Sequence, residues 1–275
     1  MENVPADNKQ ILETAGLTVK EAKGFGLAFI LFNTAKAPFN KKEVRQAFFY
    51  AIDSEKLTKN NMSGMATPAS SFLNEGHANY HKAKNVYKKD TEKAKKLLAD
   101  AGVTNLQVTL LSTDHPWVSG MTSQIKSDLE AAGVGVTIQS VASSSLYADY
   151  LDKETKDASF DLALAPGDPS VFGSDPALLM NWWIGDNIWT QKRSQWKNSD
   201  PEKFNQLQAV INEAVTLTGA EQQKKWDEAQ DILSEELPVY PLFHRTLLTA
   251  YNSKVTGFMP IAMTGLNLLG ARLTK

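Results

Sequence analysis

Apolar runs of strand character alternate with helical stripes along most of this chain. That alternation limits the fold more than any other feature. "GLAFILFNT" (26–34) is nearly continuous in apolar residues and is broken by Pro38. Its length and flanks suit a strand covered on both faces. From about Lys41, the residues Val44, Ala47, Phe48, Ala51 and Ile52 fall at i, i+3, i+4, i+7 and i+8, which is one face of a helix. Strands alternating with helices imply α/β layering, with helices on both faces of one sheet.

Two further units repeat this logic. Asp90 can cap a helix striped by Ala94, Leu97, Leu98 and Ala101. Gly102 supplies its left-handed stop, and "NLQVTLLS" then alternates as a strand. Met121, Ile125, Leu129 and Ala132 stripe the next helix, Gly133 ends it, and Val134, Val136 and Ile138 alternate. The likeness of "LLADAGV" to "DLEAAGV" reads as two helices of similar build on one sheet, because no repeat of fixed period is present. A short helix around Leu146 to Leu151 precedes the strand "FDLALA". Phe204, Leu207, Ile211 and Ala214 stripe one long helix, and Trp226, Ala229 and Leu233 another. Residues 63–89 show no period and read as a long ordered loop. "ELPVYPLF" reads as extended, and the tail from Thr246 as strand and turn.

Composition excludes several kinds of chemistry. A net charge of -2 over 275 residues gives no electrostatic footprint for nucleic acid. With no cysteine there is no disulfide framework, thiolate metal site or cysteine nucleophile. No apolar run reaches the ~18 residues that suggest a membrane span. "MENVPADNKQ" has no apolar segment of the secretory kind. No G-x-S-x-G, H-E-x-x-H or phosphate-binding glycine loop occurs, so nothing favours an enzyme or a bound cofactor.

The stretch "DLALAPGDPSVFGSDPALLMNWW" (161–183) concentrates turn chemistry, two carboxylates and aromatic residues after a strand. Asp175 precedes Pro176 and is placed to cap a helix. Ligands in open α/β sheets bind beyond the carboxyl ends of strands, which makes Asp168, His115 and Trp117 cleft candidates. Trp182, Trp183 and Trp189 suit a ligand wall, each having a large area and one polar edge, with Phe172 beside them. His77 and His81 sit four apart, but their surroundings argue for a loop, and no metal site is expected there. Arg45, beside an apolar stripe, suits a buried ion pair. Asn33 suits a backbone tie where the first strand ends.

Four phrases in order, "FNTAKAPFNKKEVRQAFFYAID", "DTEKAKKLLADAG", "FDLALAPGDPSVFGSDP" and "LPVYPLFHR", resemble the extracellular solute-binding proteins of the peptide, dipeptide and nickel ABC-transporter family. The resemblance implies a type II periplasmic-binding-protein-like fold of two lobes, of which this chain is the C-terminal part. Residues 1–25 would be a remnant of the N-terminal lobe, 26–245 the C-terminal ligand-binding lobe, and 246–275 a tail returning to the other lobe. It implies a monomer outside the cytoplasm, held to the membrane only by a lipid anchor absent from this chain, serving permease subunits. The solute would be a peptide first, with sugars, oligosaccharides or a nickel chelate as alternatives, or a non-transport receptor role. In peptide-binding members an Asp after the strand equivalent to "FDLALA" receives the ligand's amino group. Asp168 takes that role if "PSVFG" is an insertion, whereas counting back without a gap from Asp175 puts Phe172 there. The ligand-binding set expected from these readings is Asp168, Phe172, Trp182, Trp183, Trp189, His115, Trp117 and Asn33.

Overall fold

A computed structural model of the chain describes all residues except 3, 154–159, 264 and 275. Six strands form one mixed sheet. They are β1 (Leu17–Phe32), β2 (Ala66–Pro68), β3 (Gln107–Thr113), β4 (Gly135–Val141), β5 (Leu162–Gly167) and β6 (Val239–Asn252), in the order β2-β6-β1-β5-β3-β4. β3 runs parallel to β4 and β5, while β1 runs antiparallel to β5 and β6. The expected strands "NLQVTLL", "VGVTIQ" and "FDLALA" all lie in this sheet.

The local signals act as the sequence predicts. Helices α1 (Lys9–Thr14), α3 (Ser54–Asn61), α5 (Pro116–Ser119) and α8 (Trp196–Ser199) are short, while α2 (Lys42–Ala51) buries Val44, Ala47, Phe48 and Ala51. Asp90 caps α4 (Thr91–Asp100) by accepting from the backbone N–H of Lys93, and Gly102 follows with φ +72°. α6 (Thr122–Ala131) links β3 to β4 and is followed by Gly133 at φ +90°. Along β1, Ala28 to Phe32 are at most 1% exposed, as a strand covered on both faces must be. α9 (Pro201–Ala214) and α10 (Gly219–Glu236) pack on one another. Arg45 is buried and donates from Nε to the Glu236 carbonyl, while its Nη2 lies 3.4 Å from the Glu236 carboxylate.

β1 and β6 are longer than the sequence suggests. Leu27 to Leu31 of β1 lie in the body of the sheet, but Leu17 to Lys23 pair with Thr246 to Asn252 as a two-stranded ribbon beyond it. The ladder changes register between the Lys23–Thr246 and Leu27–His244 pairs, so Gly24, Phe25 and Gly26 face Arg245 alone. Such an extended bulge bends the strand that carries it. Gly24 is required there: a Cβ would meet Leu247 Cγ at 2.7 Å. On the ribbon, Val4, Leu248 and Ala250 form a small hydrophobic cluster separate from the main core.

Residues 69–84 hold an ordered course without helix or strand by borrowing partners from elsewhere. Gln230 of α10 receives the Ser71 hydroxyl at 2.9 Å and donates to the Asn79 carbonyl at 3.0 Å. Asp231 of α10 accepts from His81 at 3.1 Å and from the backbone N–H of Lys84 at 2.6 Å.

Candidate functional site

β3 and β5 end together, at Thr113 and Gly167, on the edge where β1 enters the sheet. The chain leaves β5 through Asp168 into a 3-10 turn (Pro169–Phe172), and then enters α7 (Pro176–Ile184), which Asp175 caps by accepting from Leu178 N–H at 3.0 Å. Beside this turn opens a cleft of about 480 Å³. Asp168, Trp182, Trp183 and Trp189 line it, together with Tyr147 and Arg193.

The aromatic wall is built in layers. Trp183 and Trp189 are each 2% exposed, with ring centroids 4.4 Å apart, and both pack on Phe29 of β1. In front of them Trp182 and Phe172 are 41% and 40% exposed, with centroids 4.8 Å apart. Gly167 allows this packing, because a Cβ there would meet Trp183 Cη2 at 2.3 Å. The Arg193 guanidinium lies 4.3 Å from both the Tyr147 and Trp189 ring centroids, and its Nε donates to Asp152 at 2.7 Å. Burial pushes the Tyr147 phenol above its ordinary range, with Arg193 opposing. The sequence reading missed Tyr147, Arg193 and Asn187. Tyr147 lies in the short helix expected around Leu146 to Leu151, but nothing in the sequence singles out its ring or the other two side chains, and only the fold brings them to one cavity.

Next to the cleft, Arg245 of β6 lies across β1. A Cβ on Gly26 would sit 3.7 Å from Asp168 Oδ2 and 3.8 Å from Arg245 Cδ. Burial lowers the pKa of Arg245, and the Asp168 carboxylate opposes that shift. The guanidinium stands 5.2 Å from the Trp117 ring centroid, and Trp117 packs against His115 with centroids 5.3 Å apart. The His115 imidazole is pushed below its ordinary pKa, first by burial and then by Arg245. His115 and Trp117 therefore adjoin the Asp168 side of the cleft through Arg245, a residue the sequence reading passed over.

Asn33 is not brought to this edge. β1 and β5 are antiparallel, so Leu27 pairs with Gly167 at the cleft and Phe32 with Leu162 at the far end. Asn33 follows Phe32 and is 1% exposed, with its N–H donating to the Asp161 carbonyl and Nδ2 to the Phe160 carbonyl. Its backbone-tying role stands, but its place in a ligand-binding set does not follow from the geometry.

His77 connects the cleft loop to the aperiodic segment. Asn79 N–H donates to His77 Nδ1 at 2.9 Å, so the ring proton sits on Nε2 and is donated to the Ser174 carbonyl at 2.8 Å. Burial lowers its pKa, consistent with a neutral ring. The described residues include no group of three or more His, Asp or Glu placed to hold a metal ion, and no helix among them is long and apolar enough to cross a membrane.

Comparison with known proteins decides the family. The model of bacterial extracellular solute-binding proteins, family 5 Middle, matches residues 1–190. The chain belongs to this family. Heme-binding protein A of Haemophilus influenzae is 31% identical over 252 residues, covering 87% of this chain and 43% of that protein. Among solved structures, the ABC transporter substrate-binding protein CtaP of Listeria monocytogenes superposes with a TM-score of 0.82 at 21% identity, over 100% of this chain and 55% of that one. A dipeptide-binding protein of Pseudoalteromonas sp. SM9913, solved with Met-Leu, gives a TM-score of 0.78 at 22% identity over 99% and 53% of the two chains. The family 5 chain described here thus spans about half the length of the relatives it matches, and its fold is the periplasmic-binding-protein-like α/β fold they share.

Proposed function

We propose that this family 5 chain forms one lobe of a two-lobed solute-binding protein of an ABC importer. In this reading it binds a small solute, foremost a peptide, without catalysing any reaction, and works outside the cytoplasm with permease subunits. The observation that carries the reading is the cleft at the carboxyl ends of β3 and β5, where Asp168 stands beside an aromatic wall. A carboxylate and an ammonium group desolvated together form a strong, directional contact, and aromatic rings bury the atoms next to it.

The division of the chain supports this reading. Residues 26–245 carry the main core and the cleft, and would be the ligand-binding lobe. Residues 1–25 and 246–275 contribute the ribbon and its separate small cluster, and would belong with the second lobe. A ligand touching both lobes only when they close would shift the population toward the closed form, which a permease can recognise. The Met-Leu ligand of the Pseudoalteromonas protein is in keeping with a peptide, while the name of the Haemophilus relative makes haem a competitor to test.

The test is to isolate the complete protein from its native host and identify the co-purified molecule by mass spectrometry. A peptide is the expected result. Haem, a sugar or a nickel chelate would overturn the peptide reading while leaving the binding role. A complete protein that carries nothing and shows no thermal shift with peptides, haem, sugars or nickel–histidine would overturn both.

A further inference from the structure

The cleft has more aromatic wall than the capture of an ammonium group needs. Tyr147, Trp182, Trp183 and Trp189 line it, and Ile188 adds an apolar side chain that is 39% exposed. Two of its polar side chains, Asn187 and Arg193, are engaged in building that wall. Asn187 donates from Nδ2 to the Asn181 carbonyl at 2.6 Å and accepts from Trp189 N–H at 2.8 Å. Arg193 is paired with Asp152 and stacked on Tyr147 and Trp189.

We propose that the cleft selects ligands carrying a large apolar or aromatic side chain beside the ammonium group. This rests on the reading that Asp168 receives that ammonium. Water against the exposed face of Trp182, with the buried Trp183 and Trp189 behind it, finds few partners, so an apolar side chain that displaces it gains free energy. A polar side chain entering the same space would give up its own water. Asn187 and Arg193, already bonded, would offer it little in return. The wall is also rigid: Arg193 locks Tyr147 to Trp189 from one side, and Phe29 supports Trp183 from behind. The exposed Trp182–Phe172 pair at the rim has the character of an anchoring hot spot, where one aromatic residue carries much of the binding energy.

Two dipeptides with identical termini, Phe-Ala and Ser-Ala, test this by calorimetric titration of the complete protein. Phe-Ala should bind tighter by about 30-fold, within the range expected for filling or leaving an apolar pocket. Trp182→Ala should cut that ratio to about threefold. Lys96→Ala, an exposed side chain of α4 that does not line the cleft, should preserve it. Thermal unfolding of each variant shows whether it is folded. Equal affinities for the two dipeptides would overturn the selectivity and leave the peptide reading standing, as would an undiminished ratio in a folded Trp182→Ala variant. Failure of both dipeptides to bind would overturn the peptide reading and this inference with it.

Discussion

Asp168 and Arg245 face each other across Gly26, each within 4 Å of where its side chain would begin. A carboxylate and a guanidinium thus stand together where three strands reach the cleft edge of the sheet. Replacing Asp168 removes the anion from the cleft without touching the core, because Asp168 is exposed. In the complete protein, Asp168→Ala should weaken ligand binding by roughly 2–4 kcal/mol, a loss of about 30- to 1,000-fold. Asp175→Ala should leave binding within a few fold and lower stability by about 1 kcal/mol, since Asp175 caps α7. Paired titration and thermal unfolding of both variants check this. A folded Asp168→Ala protein that binds like the wild type would show that the ligand's polar end is held elsewhere.

Gly167→Ala should damage the same site from behind. The added Cβ would lie 2.3 Å from Trp183 Cη2 and 2.5 Å from Cζ2, and Trp183 is packed too tightly to swing aside. The strand end or the indole must move, at a cost of about 1–3 kcal/mol. The expected outcome is a lower melting temperature, altered tryptophan fluorescence and weaker ligand binding. Unchanged fluorescence would show that the wall absorbs a methyl group without rearranging.

Arg45 and Glu236 supply a stability prediction independent of the ligand. Burial lowers the Arg45 pKa to about 10 and raises that of Glu236, while each charge partly restores the other. Arg45→Ala would leave the buried Glu236 carboxylate with only Lys42, 3.7 Å away, as a cation, and should cost about 3–5 kcal/mol, measured by urea unfolding. The double variant Arg45→Met/Glu236→Leu should recover most of that loss. If the single and double variants are equally unstable, the damage comes from lost packing and not from the orphaned charge.

His244 sets a pH dependence. It lies in β6 with Nε2 on the Ser71 carbonyl at 3.2 Å, near the Glu75 carboxylate, and burial lowers its pKa to about 4. The unfolded chain, with an ordinary histidine pKa of about 6.5, binds more protons than the fold between these values. Stability therefore rises with pH across this window and is lost as pH falls from about 6.5 toward 4, by an amount on the order of 3 kcal/mol. Urea unfolding at pH 7 and pH 4.5 should show the loss, and His244→Gln should show a smaller one. An identical difference in the variant would assign the effect to other groups.

Local chemistry was legible in the sequence, and assembly at a distance was not. The stripe Val44, Ala47, Phe48, Ala51 and the caps Asp90 and Asp175 act within a few residues of themselves, so the chain order displays them. β1 reaches back to Leu17 through "LTVKEAKG", a polar stretch that is a strand because β6 supplies its partner. β6 is punctuated by Pro241 in the sequence, yet the ladder continues past it because the register shift between Ala28 and Phe29 falls there. The tryptophan wall was visible as a cluster of residues close in sequence. Tyr147, Arg193 and Arg245 were not, since each becomes part of the site only when separate segments meet. Asn33 was expected beside the cleft, and the antiparallel pairing of β1 with β5 puts it at the other end of the strand.

The bond from His77 to the Ser174 carbonyl has a consequence for anyone reshaping this site. Residues 69–84 look expendable as a patternless surface excursion, but they act as a splint. Both ends are fastened to α10, Ser71 to Gln230 and His81 and Lys84 to Asp231, and between them His77 holds the Ser174 carbonyl in the loop that follows Asp168. Shortening that splint by a single residue would drag on Ser174 although nothing in the cleft had been altered. A library confined to cleft-lining positions would therefore leave untouched a part of the chain that holds the Ser174 carbonyl in place.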